Sequence, residues 1–283
     1  MKKLLIASTA LVASAGFAAA DVAVTGGASM GVKYNSTAAD TLTMHEEIDF
    51  NIVGSGTTDG GLTFGASLDV DQSSTGGGSG VSDSEVYISG AFGTLTVGDV
   101  SNGGDIGGVA DLGFDDIGVD DAGENGKNQG TFDVLYKNTF GDITVTASVS
   151  STAANSGDYG IGVEYASGGY SVAVGTSRDN SAGATGSHIT LGGTFGDIAA
   201  KATYTQGPAT TGYGVELGYT MGATALTFVY SDNDAANQEA SYGVGFAYDL
   251  GGGASLKGAV GSIDGAGAAD RATVADLGVT MTF

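Results

Sequence analysis

Acidic residues are concentrated in one thirty-residue stretch of the chain, Ser101 to Gly130, which contains a single cation, Lys127. Its carboxylates are Asp105, Asp111, Asp115, Asp116, Asp120, Asp121 and Glu124. Like charges held close together favour cations and raise one another's pKa, so acids that line an aqueous passage make it attractive to cations. Adjacent acids also suit Ca²⁺, which prefers oxygen ligands, although the spacing here is not that of an EF-hand. The candidate calcium ligands are Asp115, Asp116, Asp120 and Asp121. The alternative interpretation is a solvated acidic surface loop.

The chain offers few other groups for chemistry. It has no Cys and only two His, His45 and His188. His45 has Glu47 and Asp49 beside it on the same strand face, and His188 lies near the start of a predicted strand. Neither histidine has the company of a zinc site or of an activated nucleophile. We therefore predict no catalytic residue and no required cofactor, with Ca²⁺ at the acidic stretch as the one candidate ion.

The residues on either side of the acidic stretch are organised as strands. The clearest is Asp142–Ser150, in which aliphatic residues alternate with Thr and Ser. Successive side chains of a strand point to opposite faces, so this period of two predicts one apolar and one polar face. The pattern recurs in about sixteen segments, and 52 Gly with a single Pro fit an all-β chain with many tight turns.

The connections between the predicted strands alternate in length. Short turns centred on glycines such as Gly93 and Gly141 alternate with longer polar loops such as 101–130 and 178–186. Short turns at one end, longer loops at the other and an even number of strands are typical of a bacterial outer-membrane barrel. We therefore predict a transmembrane, antiparallel, up-and-down β-barrel over residues 21–283.

About sixteen strands enclose a lumen that is too wide for side chains to fill. The result is a water-filled channel, narrowed by any segment that folds into it. Residues 101–130 form the one loop that is long enough, and their apolar residues, including Leu112 and Phe114, provide a surface that can pack. The sequence predicts that this third outer loop folds into the lumen and that its acids form the constriction.

Four lysines within the predicted strands fall on the polar face: Lys33, Lys137, Lys201 and Lys257. A cation on the lipid side at the bilayer midplane costs roughly 2–4 kcal/mol, so we assign the polar face to the lumen. These lysines either form a basic wall opposite the acidic loop or only offset its negative field.

The first segment of the chain, residues 1–20, has the features of a secretory signal peptide. Lys2 and Lys3 precede an apolar run that ends in an A-x-A cleavage site at Ala18 to Ala20. Cleavage removes both lysines and takes the formal net charge from -23 to -25. A chain this acidic does not bind nucleic acid by counterion release, which needs clustered Lys and Arg. The expected location is the bacterial outer membrane, in contact with lipid, after export across the inner membrane.

Five motifs are distributed along the strands: MGVKYN at 30–35, SGTTDGGLTFGASL at 55–68, SGAFGTLTVGD at 89–99, YDLGGGASL at 248–256 and VADLGVTMTF at 274–283. With them the chain resembles the general diffusion porins of alphaproteobacteria, the Rhodobacter-type porin family. The resemblance implies a sixteen-stranded homotrimeric barrel, passive diffusion of ions and small hydrophilic solutes, and calcium on acidic loop residues. It also implies that loop carboxylates face basic residues on the barrel wall, a pattern for which this chain supplies few cations.

The hypothesis that follows is an outer-membrane general diffusion porin with a water-filled, cation-selective channel. One alternative is an outer-membrane barrel enzyme, a lipase or protease, which requires a nucleophile with a positioned His or acid. The other is a secreted Gly- and Asp-rich adhesin or calcium-binding β-solenoid, for which the GGxGxDxUx repeat is missing.

Overall fold

The computed structural model describes residues 21–73, 80–236, 238–264 and 271–283. The segment interpreted as a signal peptide, residues 1–20, lies outside the described residues. In the part of the chain that is described, no helix is both long enough and apolar enough to cross a membrane.

The described residues form sixteen β-strands and one short helix. The strands are β1 (Asp21–Asn35), β2 (Leu42–Thr57), β3 (Thr63–Ser73), β4 (Gly80–Gly90), β5 (Gly93–Gly98), β6 (Val134–Phe140), β7 (Ile143–Val149), β8 (Tyr159–Ser167), β9 (Tyr170–Asp179), β10 (Ala184–Phe195), β11 (Ile198–Gln206), β12 (Thr211–Met221), β13 (Thr224–Asn233), β14 (Ser241–Gly251), β15 (Ala254–Ile263) and β16 (Ala272–Thr282). The helix, α1, is Asp121–Glu124. The prediction of about sixteen strands is confirmed, with boundaries that differ by a few residues.

The strands form one closed barrel. Each strand pairs antiparallel with its neighbours in sequence, and β1 pairs with β16. In this closing pair Gly31 faces Gly278 and Lys33 faces Asp276. Closure gives the backbone groups at both edges of the sheet a partner, which lipid cannot supply. The predicted antiparallel, up-and-down barrel is therefore confirmed.

The period of two separates an apolar outer surface from a polar lumen. On β7, Ile143 and Val149 are exposed on the outside, whereas Thr146 and Ser148 are buried on the inside. Similar outward-facing aliphatic and aromatic residues occur around the barrel, among them Met44 and Leu217. An apolar outer surface with a polar interior is what a membrane barrel requires.

The connection between β5 and β6, residues 99–133, is folded into the lumen, and we call it the constriction loop. Except for α1 it has no helix or strand. Its apolar residues form one cluster with residues of the barrel wall: Val109, Leu112, Ile117 and Val119 with Val229, Ala259, Ala272 and Val274. Burial of apolar surface contributes about 25 cal/mol per Å², so this cluster holds the loop against the wall. The prediction that the third outer loop folds inward is confirmed.

Glycines on the lumen face allow the constriction loop to lie directly on the sheet. A Cβ on Gly175 of β9 would collide with the backbone of Gly104, and one on Gly243 of β14 would lie 3.0 Å from the Leu112 side chain. Contacts of this kind run from Ser148 on β7 around to β16 and β1. The loop therefore lines this arc of the wall, its tip reaches His45 on β2, and β3 to β5 face it across the lumen.

Candidate pore constriction

The first leg of the constriction loop, residues 103–108, is anchored on β7 and β10. Nε2 of His188 donates to the carbonyl of Ile106 at 2.6 Å. Because a carbonyl only accepts, the ring proton is on Nε2. The N–H of Gly103 donates to Oγ of Ser148 at 2.8 Å. His188 is thus buried beneath the loop, a role that sequence reasoning missed.

Lys127, whose side chain is 12% exposed, joins the end of the constriction loop to its beginning. Nζ of Lys127 lies 3.0 Å from Oδ1 of Asp105 and forms an ion pair with Glu124, whose Oε1 accepts from the N–H of Val109 at 2.8 Å. Burial alone would lower the pKa of Lys127, but Glu124 and Asp105 outweigh it and raise that pKa above its ordinary 10.5. Asp105 and Glu124 therefore hold the loop together rather than standing free in the channel.

The tip of the loop, residues 113–116, docks where β16, β1 and β2 meet. Oδ2 of Asp276 accepts from the N–H groups of Phe114 at 2.9 Å and Asp115 at 3.2 Å. The carboxylate of Asp115 forms an ion pair with Lys33 and lies 3.1 Å from Nδ1 of His45. Asp115 is thus a loop acid whose charge is offset by a lysine of the wall.

A second group of loop acids joins Asp116, the last residue of the tip, to Asp111 and Asp120. Carboxylate oxygens of Asp111, Asp116 and Asp120 lie within 4.8 Å of one another. Burial, with the nearby charge of Asp116, raises the pKa of Asp120 to about 8. Partial burial also raises the pKa of Asp116, although the N–H of Gly118, which donates to its carboxylate at 2.8 Å, acts in the opposite direction. Among the described residues, Oδ1 of Asp120 is buried without a hydrogen-bond partner.

The structure divides the four candidate calcium ligands. Asp116 and Asp120 lie together, with Asp111 as a third oxygen donor that the sequence analysis did not include in the set. Asp115 is at the loop tip, and Asp121 is exposed at the start of α1. The orphaned oxygen of Asp120 makes the first three acids the group whose donor set fits a hard cation.

The four strand lysines occur on β1, β6, β11 and β15, all at lumen-facing register positions. Lys33 binds the loop tip. Lys201 faces Glu216 in register, with Nζ 3.1 Å from Oε2. Lys137 is opposite Thr94, and Lys257 is opposite Gly278. The lysines are therefore spread around the barrel.

Carboxylates line the part of the wall that faces the loop. We call this set the acidic wall: Glu47, Asp49, Asp69, Asp71 and Glu85. Asp49 and Asp71 are directly opposite each other on β2 and β3, so their side chains are neighbours on the lumen face. The sequence has no Lys or Arg between Lys33 and Lys127, a span that includes β2 to β5. The field on this side of the lumen is therefore negative.

Known proteins share this architecture. A family model described as Gram-negative porin matches residues 7–268. The chain is also 30% identical to a porin of Rhodobacter capsulatus, in an alignment that covers 93% of this chain and 100% of that protein. The chain belongs to the Gram-negative porin family. This porin is accordingly an outer-membrane general diffusion porin, a channel rather than a barrel enzyme or an adhesin.

Solved structures agree on the fold of this porin. Two engineered variants of the Rh. blastica porin superpose with TM-scores of 0.81 and 0.80. Each is 21% identical in sequence, and each comparison covers 93% of this chain and 100% of the other. At that level of identity the likeness shows the barrel alone.

The wall of this porin departs from the pattern that the resemblance implied. Apart from Lys33, which pairs with the loop tip, the constriction loop faces Asp49, Asp71 and the rest of the acidic wall rather than basic residues. These acids follow the same period of two that identified the strand lysines. That period was the signal by which the sequence alone would have revealed them.

Proposed function

We propose that this porin is selective for cations and that the acidic wall produces most of the selectivity. The observation that carries the proposal is the absence of Lys and Arg between Lys33 and Lys127, combined with the five lumen-facing carboxylates of the acidic wall. Carboxylates that line a narrow aqueous passage raise the local concentration of cations and repel anions.

The loop acids contribute less free charge than their number suggests. Lysines offset Asp105, Glu124 and Asp115, and Asp120 is buried. Apart from Asp105, which is paired with Lys127, the exposed loop acids are Asp111, Asp116 and Asp121. We propose that these three form the loop side of the constriction and that the acidic wall forms the other side.

The test is the reversal potential of single channels in a planar bilayer across a KCl gradient. The wild-type reversal potential should lie close to the Nernst potential of K⁺. Asp49→Asn with Asp71→Asn should move it towards zero by more than Asp111→Asn with Asp121→Asn does. The matched control is Asp142→Asn with Asp197→Asn, which removes two charges next to the short turns at Gly141 and Gly196.

Two results would count against this proposal. A wild-type potential near zero would show that the pore is not cation-selective. A selective pore whose potential is unchanged by both the wall pair and the loop pair would show that other residues set the selectivity.

We propose that the porin is a homotrimer with the outer face of β1 and β2 in its interface. Glu46 lies on that face, exposed, and opposite Met30 of β1. A charged side chain is unfavourable against lipid, and a neighbouring subunit would remove that contact. Native mass spectrometry of the detergent-extracted porin should give the mass of three chains, and a monomer mass would contradict the proposal.

We propose that Asp111, Asp116 and Asp120 are the residues that would hold Ca²⁺. Three carboxylates within reach of one ion, one of them with an orphaned buried oxygen, fit a hard cation, which when bound would offset their mutual repulsion. Calorimetric titration with CaCl₂ should show binding that Asp120→Asn abolishes and Asp40→Asn, in the loop after β1, leaves intact. Equal affinity in both variants would refute the assignment.

We propose, finally, that the channel has no catalytic activity. Nε2 of His188 is committed to the carbonyl of Ile106, and His45 contacts Ser29 and Asp115. Neither histidine is therefore free to act as a base beside a nucleophile. Hydrolysis of a fluorogenic ester or peptide that disappears in His45→Ala would overturn this view.

A further inference from the structure

A notch in the closing pair of strands receives the tip of the constriction loop. Gly31 of β1 and Gly278 of β16 are direct partners and both face the lumen. A Cβ on Gly31 would lie 2.7 Å from Cζ of Phe114, and a Cβ on Gly278 would lie 2.7 Å from Cδ1 of the same ring. The Phe114 ring, 9% exposed, thus fills the space that two side chains would otherwise occupy.

One carboxylate ties this tip to two strands. Oδ2 of Asp276 accepts from the N–H groups of Phe114 and Asp115, and Oδ1 accepts from the N–H of Ala259 on β15 at 2.9 Å. Asp276 is 6% exposed. A buried carboxylate is costly unless it is hydrogen-bonded, and charge-assisted bonds are stronger than neutral ones. The burial of Asp276 is therefore offset by bonds that join the loop to the wall.

Two further wall residues close the arrangement. The ring of His45 on β2 meets the Phe114 ring edge-on, with centroids 5.3 Å apart. Nζ of Lys33 donates to the carbonyl of Asp115 at 3.1 Å, in addition to its ion pair with the Asp115 carboxylate. The tip thus contacts β1, β2 and β16. It lies near the middle of the loop, far in sequence from β5 and β6, to which the loop ends are joined.

We propose that Asp276 and the Gly31–Gly278 notch are the positioning elements of the pore. They fix the loop tip on the closing pair, next to the point on β2 where the acidic wall begins at Glu47. Because the tip is the part of the loop most distant from β5 and β6, its attachment sets the width of the passage. The role concerns size, and it holds whether or not the pore prefers cations.

The experiment compares single-channel conductance and the size limit for neutral sugars in a liposome-swelling assay. Asp276→Asn keeps the shape of the side chain but replaces one of the two acceptor oxygens with an NH2 group, so either the two loop N–H groups or the N–H of Ala259 lose their acceptor. Phe114→Ala empties the notch without changing the wall. The matched control is Asp249→Asn, since the carboxylate of Asp249 on β14 accepts from Gly251 in its own turn.

Both variants should show a higher and more variable conductance and should admit larger sugars, and Phe114→Leu should restore values close to wild type. Asp249→Asn should keep the wild-type size limit. Electrophoresis of unboiled samples shows separately whether each barrel is folded. If Asp276→Asn does not fold, the result for Phe114→Ala tests the proposal. If folded Phe114→Ala had the conductance and the size limit of the wild type, the proposal would be overturned, even if this variant unfolded at a lower temperature.

Discussion

Gly31 and Gly278 face each other directly across the two strands that close the barrel, and the ring of Phe114 lies on both. The notch that they form exists only when β1 and β16 are paired in this register. A slip by one residue would turn the neighbouring side chains, such as Val32, towards the lumen. Barrel closure and loop docking are therefore coupled through a few residues.

Gly278→Ala should destabilise the closed barrel. The new Cβ would lie 2.7 Å from both the carbonyl of Met30 and the Phe114 ring, and overpacking of this kind costs about 1–3 kcal/mol. The folded and unfolded barrels migrate differently in gel electrophoresis, and the temperature at which the band shifts from the folded to the unfolded position should fall. Gly54→Ala on β2 is the control, because a Cβ there meets nothing within 4 Å. An equal fall in both variants would show that the effect is not specific to the notch.

Lys127→Met should destabilise the docked loop more at neutral pH than at high pH. The pKa of Lys127 is raised above 10.5 in the folded porin. Its ion pairs with Asp105 and Glu124 are therefore fully present below 10.5 and are lost as the pH rises through the raised value. The gel-shift temperature of Lys127→Met should be lower than wild type at pH 8, and this deficit should shrink as the pH rises above 10.5.

The control for this prediction is Lys257→Met, since the described residues show no ion pair for Lys257. Its gel-shift temperature should match the wild type at pH 8 and at pH 12. A deficit of Lys127→Met that stays constant between pH 8 and pH 12 would show that lost packing, rather than lost charge, is responsible.

The fold was accessible to sequence reasoning because a barrel is built from local rules. The alternation in segments such as Asp142–Ser150 fixes which face is apolar, and the glycine turns fix where the chain reverses. Both signals can be read within about ten residues. The sixteen strands and the inward position of the constriction loop followed from them without any knowledge of long-range contacts.

The site was less accessible because its contacts join residues distant in sequence. Asp276 binds Phe114, and His188 binds Ile106, yet no local pattern connects the partners of either pair. The sequence could identify Asp115 as acidic but not that Lys33 offsets its charge. Burial distinguishes Asp120 from its neighbour Asp121, and burial in an irregular loop follows no period.

His188→Leu should loosen the first leg of the constriction loop. The change leaves the carbonyl of Ile106 without its donor, and a buried polar group without a partner costs about 1–3 kcal/mol. Amide hydrogen exchange of residues 103–108 should accelerate in the folded barrel. His188→Gln, which keeps an N–H donor on a side chain of similar length, should exchange at close to the wild-type rate. If both variants accelerated exchange equally, ring packing rather than the hydrogen bond would hold this leg, and if neither did, the bonds at Gly103 and Lys127 would suffice to hold it.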